Sequence, residues 1–535
     1  MRLFYKHLFR MKKKCFIAWA TGLMITMMVG CDDFDNYSVS PNHLLSFSTD
    51  TLSFDTVFTT IGSTTGYFMI YNKNEEALKI DKIILASGGQ SGFRINIDGR
   101  KGDSFNDIPI WKKDSLFVAV EVTVNPNNDN SPFVIYDSII FTTNGIRQSI
   151  LLEAYGQNAH MLRKGTIFTR DTTLTAERPY LIFDSIMIPA GVTVNIDKGV
   201  SFYMHNGAKW LIEGTLKTNG TQDEPIIFRG DRLNNYSTTI SYDNITAQWN
   251  GLFFGESSFD NELNYTLIRN GISGLTFNES TPEKKKIDIR NSQITNMEGK
   301  VLRAINCFIE ASNSEFSNAS DSLVALLGGR YRFTHCTMAN YMPAEMKNKN
   351  AMPTPCLILA DKIEYTDENE KKEVRDIPLL QAYFDNCIID GRSMSVDTLK
   401  NYRGEISFFT DSVNMDGNNE RFNYRFNHCI IKTKRVPGDR FNEVLFVKNL
   451  KADNKAEYVM YIKSDGRISG DKDNKNDFIF DFRLANESAG IGKADRGISE
   501  QYPTDRFGIN RLISDNGPSI GAYEYVPHEE DEDEK

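Results

Sequence analysis

The sequence predicts an all-β chain in two parts: an antiparallel sandwich, then a solenoid of parallel strands. Three observations carry this. Short alternating runs with no helical periodicity fill the stretch from Leu45 to Asn158. A small side chain then recurs at Thr266, Ser292, Ser314 and Cys336, with steps of 26, 22 and 22 residues. An asparagine follows each of them four positions later, at Asn270, Asn296, Asn318 and Asn340. A repeat of this length suits one coil of a β-solenoid, each coil resting only on its neighbours.

The start of the chain is a targeting segment. Arg2, Lys6, Arg10 and Lys12–Lys14 precede an apolar run from Phe16 to Val29, too short to span a bilayer. The "MVGC" that follows ends at Cys31 and resembles the lipobox of bacterial lipoproteins, in which the cysteine is lipidated and becomes the new N-terminus. Met28 stands where leucine is usual, and Met11 is an alternative start. Residues 1–30 are thus expected to be removed, with 31–44 a linker. Cleavage removes six basic residues and no acidic one, taking the formal charge from −10 to −16. Asp32 and Asp33 directly after the cysteine resemble the acidic tag of surface-exposed lipoproteins in one gram-negative group. The resemblance implies an outer-membrane, lipid-anchored, cell-surface location. An acidic chain is a poor partner for nucleic acid, whose binding rests on clustered Lys and Arg.

Within residues 45–158, "GYFMIYN", "LKIDKIIL", "SLFVAVEVTVNP" and "QSILLEAYG" read as strands divided by Asn, Gly, Asp and Pro clusters. Their spacing suggests an immunoglobulin-like sandwich. Its expected role is a spacer, since nothing in it marks a ligand site.

The solenoid is expected over residues 159–525. Gly191, Ile196, Gly199, Gly214–Leu216, Gly220–Thr221, Pro225–Ile226 and Phe228 fall in step with strands and turns. This segment resembles the opening turns of right-handed parallel β-helix proteins of the pectate-lyase-like kind. The close of the chain also resembles such proteins: Asp505, Gly508 and Arg511 match a "D-x-x-G-x-x-R" turn, and Gly521–Glu524 matches a final strand. Ser519 departs from that pattern, which has aspartate there. Residues 526–535 are an acidic tail expected to be disordered.

His335–Cys336, Asn386–Cys387 and His428–Cys429 look like parts of one metal site. In a solenoid they are instead rungs of one ladder, strung along an axis at about 4.8 Å per rung, and cannot converge on one ion. No metal and no cofactor is expected. The ladder residues Thr266, Ser292, Ser314 and Cys336 should be interior, and the asparagines should satisfy turn backbone groups. Glu315 should point outward and tolerate replacement. Steps of 51 and 42 residues to Cys387 and Cys429 imply inserted loops or additional rungs, which puts Cys336 and Cys387 more than one rung apart. Cys307, Cys336, Cys356, Cys387 and Cys429 remain as free thiols, not a disulfide framework.

Chemistry is sparse. "RVPGDR" fits the R-x-P-x-x-R pattern of pectate lyases and nominates Arg435 as a base, but no aspartate cluster accompanies it to hold calcium. "DKDNKND" at 471–477 breaks the calcium-loop pattern at Lys475 and Asn476. Asp followed by Ser or Thr recurs at Asp55, Asp114, Asp137, Asp184 and Asp321 among others, and resembles an O-glycosylation acceptor. The first functional expectation is therefore a glycan- or protein-binding or structural envelope component. The alternative is a polysaccharide lyase or glycoside hydrolase on the same scaffold. Convergent carboxylates or basic groups in a groove would favour the enzyme.

Overall fold

A computed structural model describes residues 37–163, 165–237, 240–343, 354–366, 371–392, 404–411, 420–433, 438–447, 459–463 and 480–528. The chain divides into two compact units. One runs through Asn128 and resumes over Pro132–Gln157; the other comprises Asp129–Ser131 and Asn158 onward.

The first unit is an immunoglobulin-like sandwich of two five-stranded sheets. Alternation builds it: Phe93–Ile97 buries Phe93, Ile95 and Ile97 and turns Arg94 outward. Ser115–Val122 likewise buries Val118, Val120 and Val122. All its strand pairs are antiparallel except Thr51–Phe58 against Ile146–Gln157, which run parallel through a bulge at Ala154/Tyr155.

The second unit is a parallel β-helix. Each coil gives one strand to each of three sheets, of 11, 9 and 10 strands in the described residues. The register of the first sheet passes in line through Leu267, Gln293, Glu315, Thr337, Ile388 and Ile430. Period-two alternation sends Ile268, Ile294, Phe316, Met338, Ile389 and Ile431 into the coil, where all are fully buried. Aromatic rings stack from rung to rung, as in Phe333–Phe384 at 5.3 Å and Phe384–Phe426 at 4.8 Å. Burying each such ring stabilises the coil by roughly 1.5–3 kcal/mol relative to exposure.

Thr266, Ser292, Ser314, Cys336, Cys387 and Cys429 are all fully buried and occupy one interior column. Backbone amides donate along it: Thr266 N–H to Ser292 Oγ and Ser292 N–H to Ser314 Oγ, both at 3.1 Å. The residue before each column member explains the His–Cys pairs. Tyr265, Asn291, Asn313, His335, Asn386 and His428 all take left-handed backbone, with φ between 44° and 54°. Asparagine and histidine are enriched in that conformation, so the pair is a turn residue followed by an interior one. Among the described residues no group of three or more His, Cys, Asp or Glu is placed to hold a metal ion.

Two expectations are corrected, and one left open is decided. Thr337 pairs directly with Ile388, so Cys336 and Cys387 sit on adjacent rungs. The long steps are loops, one of them the hairpin Lys362–Thr366 with Lys372–Asp376, which grows from a turn and leaves the first-sheet register in line, with bulges confined to the strand Leu379–Asp385 that follows it. Glu315 faces outward from the strand yet is only 2% exposed. It is covered because the terminal segment does not add a last rung. Residues 486–525 instead fold back over the outer face of the first sheet. Asn386 Oδ1 accepts from Asp495 N–H, Asn313 Nδ2 donates to Thr504 O, and Ala522 N–H donates to Thr337 Oγ1.

Five of the Asp–Ser/Thr pairs share one geometry. The aspartate Oδ1 accepts the next residue's N–H at 2.6–2.8 Å at Asp55, Asp114, Asp137, Asp184 and Asp321. That bond gives the pattern a structural reason. Ser322 is fully buried, which closes it to modification in the fold.

Candidate functional site: a polar cleft on the outer face of the first sheet

The outer face of the first sheet carries two side-chain rows, read from the residues one and three places after each ladder position. One row holds Leu267, Gln293 and Glu315; the other holds Arg269, Thr295 and Ser317. These six residues floor a cleft of about 440 Å³. Ser241, Asp243 and Asn244 form one wall, and Met342, Pro343 and Phe480 contribute to the lining. The volume lies within the usual range for small-molecule sites, about 300–1,000 Å³.

The wall belongs to an insertion between strands Ile226–Gly230 and Gly251–Phe254. It carries a single 3₁₀ turn, Tyr242–Asn244, capped by Ser241 Oγ accepting from Asp243 N–H. The asparagine column anchors it. Asn270 Nδ2 donates to Asp243 O at 2.7 Å and to Ile245 O at 3.0 Å, and Asn296 Nδ2 donates to Asp243 O at 3.2 Å. Further along, Asn318 Oδ1 accepts from Tyr341 N–H, and Asn340 Nδ2 donates to Ala319 O. The amides therefore bind backbone rather than one another. Asn270, Asn296 and Asn318 take left-handed backbone; Asn340 does not.

The charged groups of the cleft are engaged internally. Arg229 and Arg269 come from adjacent rungs and both pair with Asp243. Glu315 Oε1 accepts from Gln293 Nε2 at 2.9 Å and Ser317 Oγ at 2.5 Å, while Oε2 accepts from the Tyr523 hydroxyl. Burial holds the Tyr523 hydroxyl far above its ordinary pKa, with the negative charge of Glu315 adding to the effect. Tyr523 thus stays a donor.

Beyond the cleft, the buried polar groups among the described residues include two clusters late in the coil and its terminal segment. Tyr341 donates to Asp390 Oδ2 at 2.6 Å, Lys432 Nζ donates to Gly391 O, and Cys356 Sγ contacts Glu405 Oε2 at 3.1 Å. Burial raises the pKa of Asp390, and all five side chains belong to buried residues. The other group ties the terminal segment down. Arg511 is fully buried, its Nη2 donating to Asn313 Oδ1, Gly521 O and Ala522 O, and burial lowers its pKa to about 10. Ser519, where the family pattern has aspartate, bonds Glu524 through both its N–H and its hydroxyl.

Cys31 and Arg435 lie outside the described residues, as does 471–477. The cleft residues were within reach of the sequence on the floor only. "NSQITN" and "NSEFSN" expose Gln293, Thr295, Glu315 and Ser317 once the ladder register is known. Asp243 and Phe480 carry no such signal.

No protein-family model matches the chain. No curated protein matches it either. Several solved structures resemble parts of it. The catalytic domain of a GH87 α-1,3-glucanase in complex with tetrasaccharides is 9% identical over 68% of this chain and 76% of that one, with a TM-score of 0.22. A family 123 glycoside hydrolase from Clostridium perfringens is 9% identical with a TM-score of 0.15; the match spans 22% of this chain and about a quarter of that one, 26%. A PapD-like domain of human CEP192 is 9% identical over 24% of this chain and 92% of the domain, with a TM-score of 0.16. At these scores the fold assignment rests on the strand registers of this chain.

Proposed function

We propose that the protein is a lipid-anchored component of the outer surface of a gram-negative envelope that binds a glycan in the first-sheet cleft. The observation that carries this reading is the cleft itself. It is a concave site of sugar-sized volume, floored by amide, hydroxyl and guanidinium groups from three successive rungs. The anchor rests on the lipobox ending at Cys31 and the acidic residues after it.

A polysaccharide-cleaving enzyme is the second reading, and one feature favours it: Asp243 and Glu315 line the same cleft. Their bonding favours binding over cleavage. Asp243 is paired with two arginines, and Glu315 spends both oxygens on three donors. A general acid or base needs a free oxygen within reach of the proton it moves. A glycan array with the detergent-solubilised full chain tests the proposal, and incubation with each hit tests the alternative. Bound glycans recovered intact support binding; shortened products support the enzyme; a blank array refutes both.

A further inference from the structure

The cleft's charges and its free hydrogen-bonding groups are different sets of atoms. Two arginines meet one carboxylate at Asp243, and the other carboxylate, Glu315, is saturated by neutral donors. Counted together, Arg229, Arg269, Asp243 and Glu315 carry no net charge. An anionic sugar would compete with Asp243 for Arg229 and Arg269, and a cationic one would need an oxygen released from Glu315. Each exchange breaks an existing charged bond to make another.

Arg269 meets Asp243 at 3.3 Å and its buried Nε has no hydrogen-bond partner among the described residues; the unspent groups of the amide and hydroxyl side chains are uncharged. Asn318 uses Oδ1 on Tyr341 N–H and leaves its Nδ2 donor unused. Asn296 uses Nδ2 on Asp243 O and leaves Oδ1 as an acceptor. Ser317 has one hydroxyl hydrogen, which goes to the nearer Glu315 at 2.5 Å. Thr295 Oγ1 stands 2.8 Å from Ser317 Oγ and lines the cleft, a hydroxyl with lone pairs to offer a ligand. The Asn244 amide lines the same wall. Phe480 supplies an apolar surface in the lining, its ring stacked on Phe482 at 5.8 Å.

We propose that the cleft selects an uncharged oligosaccharide segment, lying along the coil axis and read by Asn244, Thr295, Asn296 and Asn318. This deepens the glycan-binding reading and rests on it. The floor runs over three rungs, about 10 Å at ~4.8 Å per rung, which accommodates about two to three pyranose rings. Acceptors at Thr295 and Asn296 lie one rung from the donor at Asn318, a mixed set that suits sugar hydroxyls, which both donate and accept. With no ionic contact to screen, affinity should be nearly independent of salt.

The test uses the detergent-solubilised full chain and calorimetric titration with two oligosaccharide panels of matched length. One panel is neutral (gluco-, manno- and xylo-oligosaccharides); the other carries uronates. Each is titrated in 20 mM and 300 mM NaCl, about a threefold to fourfold change in Debye length. The expected result is binding within the neutral panel, with Kd changing less than about twofold between the two salts. Thr295→Val and Asn318→Asp should each weaken it by roughly tenfold, the scale of one hydrogen bond lost from a desolvated site. Thr295→Val leaves the charge unaltered, so it serves if Asn318→Asp disturbs folding, as unfolding curves would show. Preferential, salt-sensitive binding of uronates overturns the inference and leaves glycan binding standing. Failure of both panels, with a blank array, overturns the glycan reading and this inference with it.

Discussion

His335→Asn should change how the β-helix unit responds to acid without disturbing its fold. His335 is fully buried, its Nε2 3.0 Å from both Ser499 Oγ and Asn386 Nδ2. Burial, and then the positive charge of Arg511, push its pKa well below 6.5. Other ionisable groups nearby include Tyr502, whose ring centroid is 6.5 Å away, the adjacent Cys336, Asp495 behind Asn386 and Ser499, and Glu524 and Asp505 beyond Arg511. The unfolded chain binds a proton here near pH 6.5 and the folded chain does not. Stability is therefore complete above about pH 7 and falls as pH drops below the unfolded value. Between pH 7.5 and 5.5 this one site should cost about 1.4 kcal/mol, and about 1.4 kcal/mol more for each further unit until the folded pKa is reached. Asparagine already stands at the equivalent turn in Asn291, Asn313 and Asn386, all with left-handed backbone, so the substitution keeps the conformation. Urea unfolding of both proteins at pH 7.5, 6.5 and 5.5 reads the effect. Asp390, Asp505 and Glu524, whose pKa values burial raises, titrate in both and cancel in the difference. Any packing cost of the asparagine shifts all three pH values equally. A wild-type-minus-mutant difference that stays constant from pH 7.5 to 5.5 would refute the reasoning.

Three further outcomes follow from the same structure. Tyr523→Phe leaves Glu315 Oε2 without its donor, and should cost roughly 1.5–3 kcal/mol in urea unfolding; a loss under about 0.5 kcal/mol would mean that the terminal segment does not hold this carboxylate. Ser314→Phe should overpack the interior column by roughly 1–3 kcal/mol or more, while the same change at exposed Arg332 should cost little, and the Cys336 thiol should resist alkylation until the protein is denatured; fast labelling of native Cys336 would sink the ladder. Cys31→Ser should leave the chain unlipidated, measured as loss of the lipid mass and of membrane retention; unchanged retention would remove the proposed anchor.

The solenoid was legible because its interior column tolerates only small side chains, and Thr266, Ser292, Ser314 and Cys336 fall at nearly constant spacing. Adjacency beyond Cys336 was not, because a coil has no set length. The hairpin Lys362–Thr366/Lys372–Asp376 lengthens the chain between Cys336 and Cys387 and leaves Thr337 opposite Ile388. The left-handed turn before each column residue holds asparagine at 291, 313 and 386 and histidine at 335 and 428, and no local pattern in the sequence separates that turn histidine from a metal ligand. Glu315 was misread for a longer-range reason. Local alternation correctly turns it away from the coil, and only a segment 208 residues later, ending in Tyr523, covers it. The cleft shares that difficulty, since its floor follows the repeat while Asp243 and Phe480 arrive from segments outside the repeat.

The most direct test of the glycan-binding cleft is a crystal structure of the full chain with a neutral oligosaccharide that binds it. The sugar should lie over Arg269, Thr295 and Ser317, parallel to the coil axis, with hydroxyls on Asn318 Nδ2 and Asn296 Oδ1. A sugar seated on another face of the coil, or on the sandwich, with this cleft filled only by water, would contradict the account.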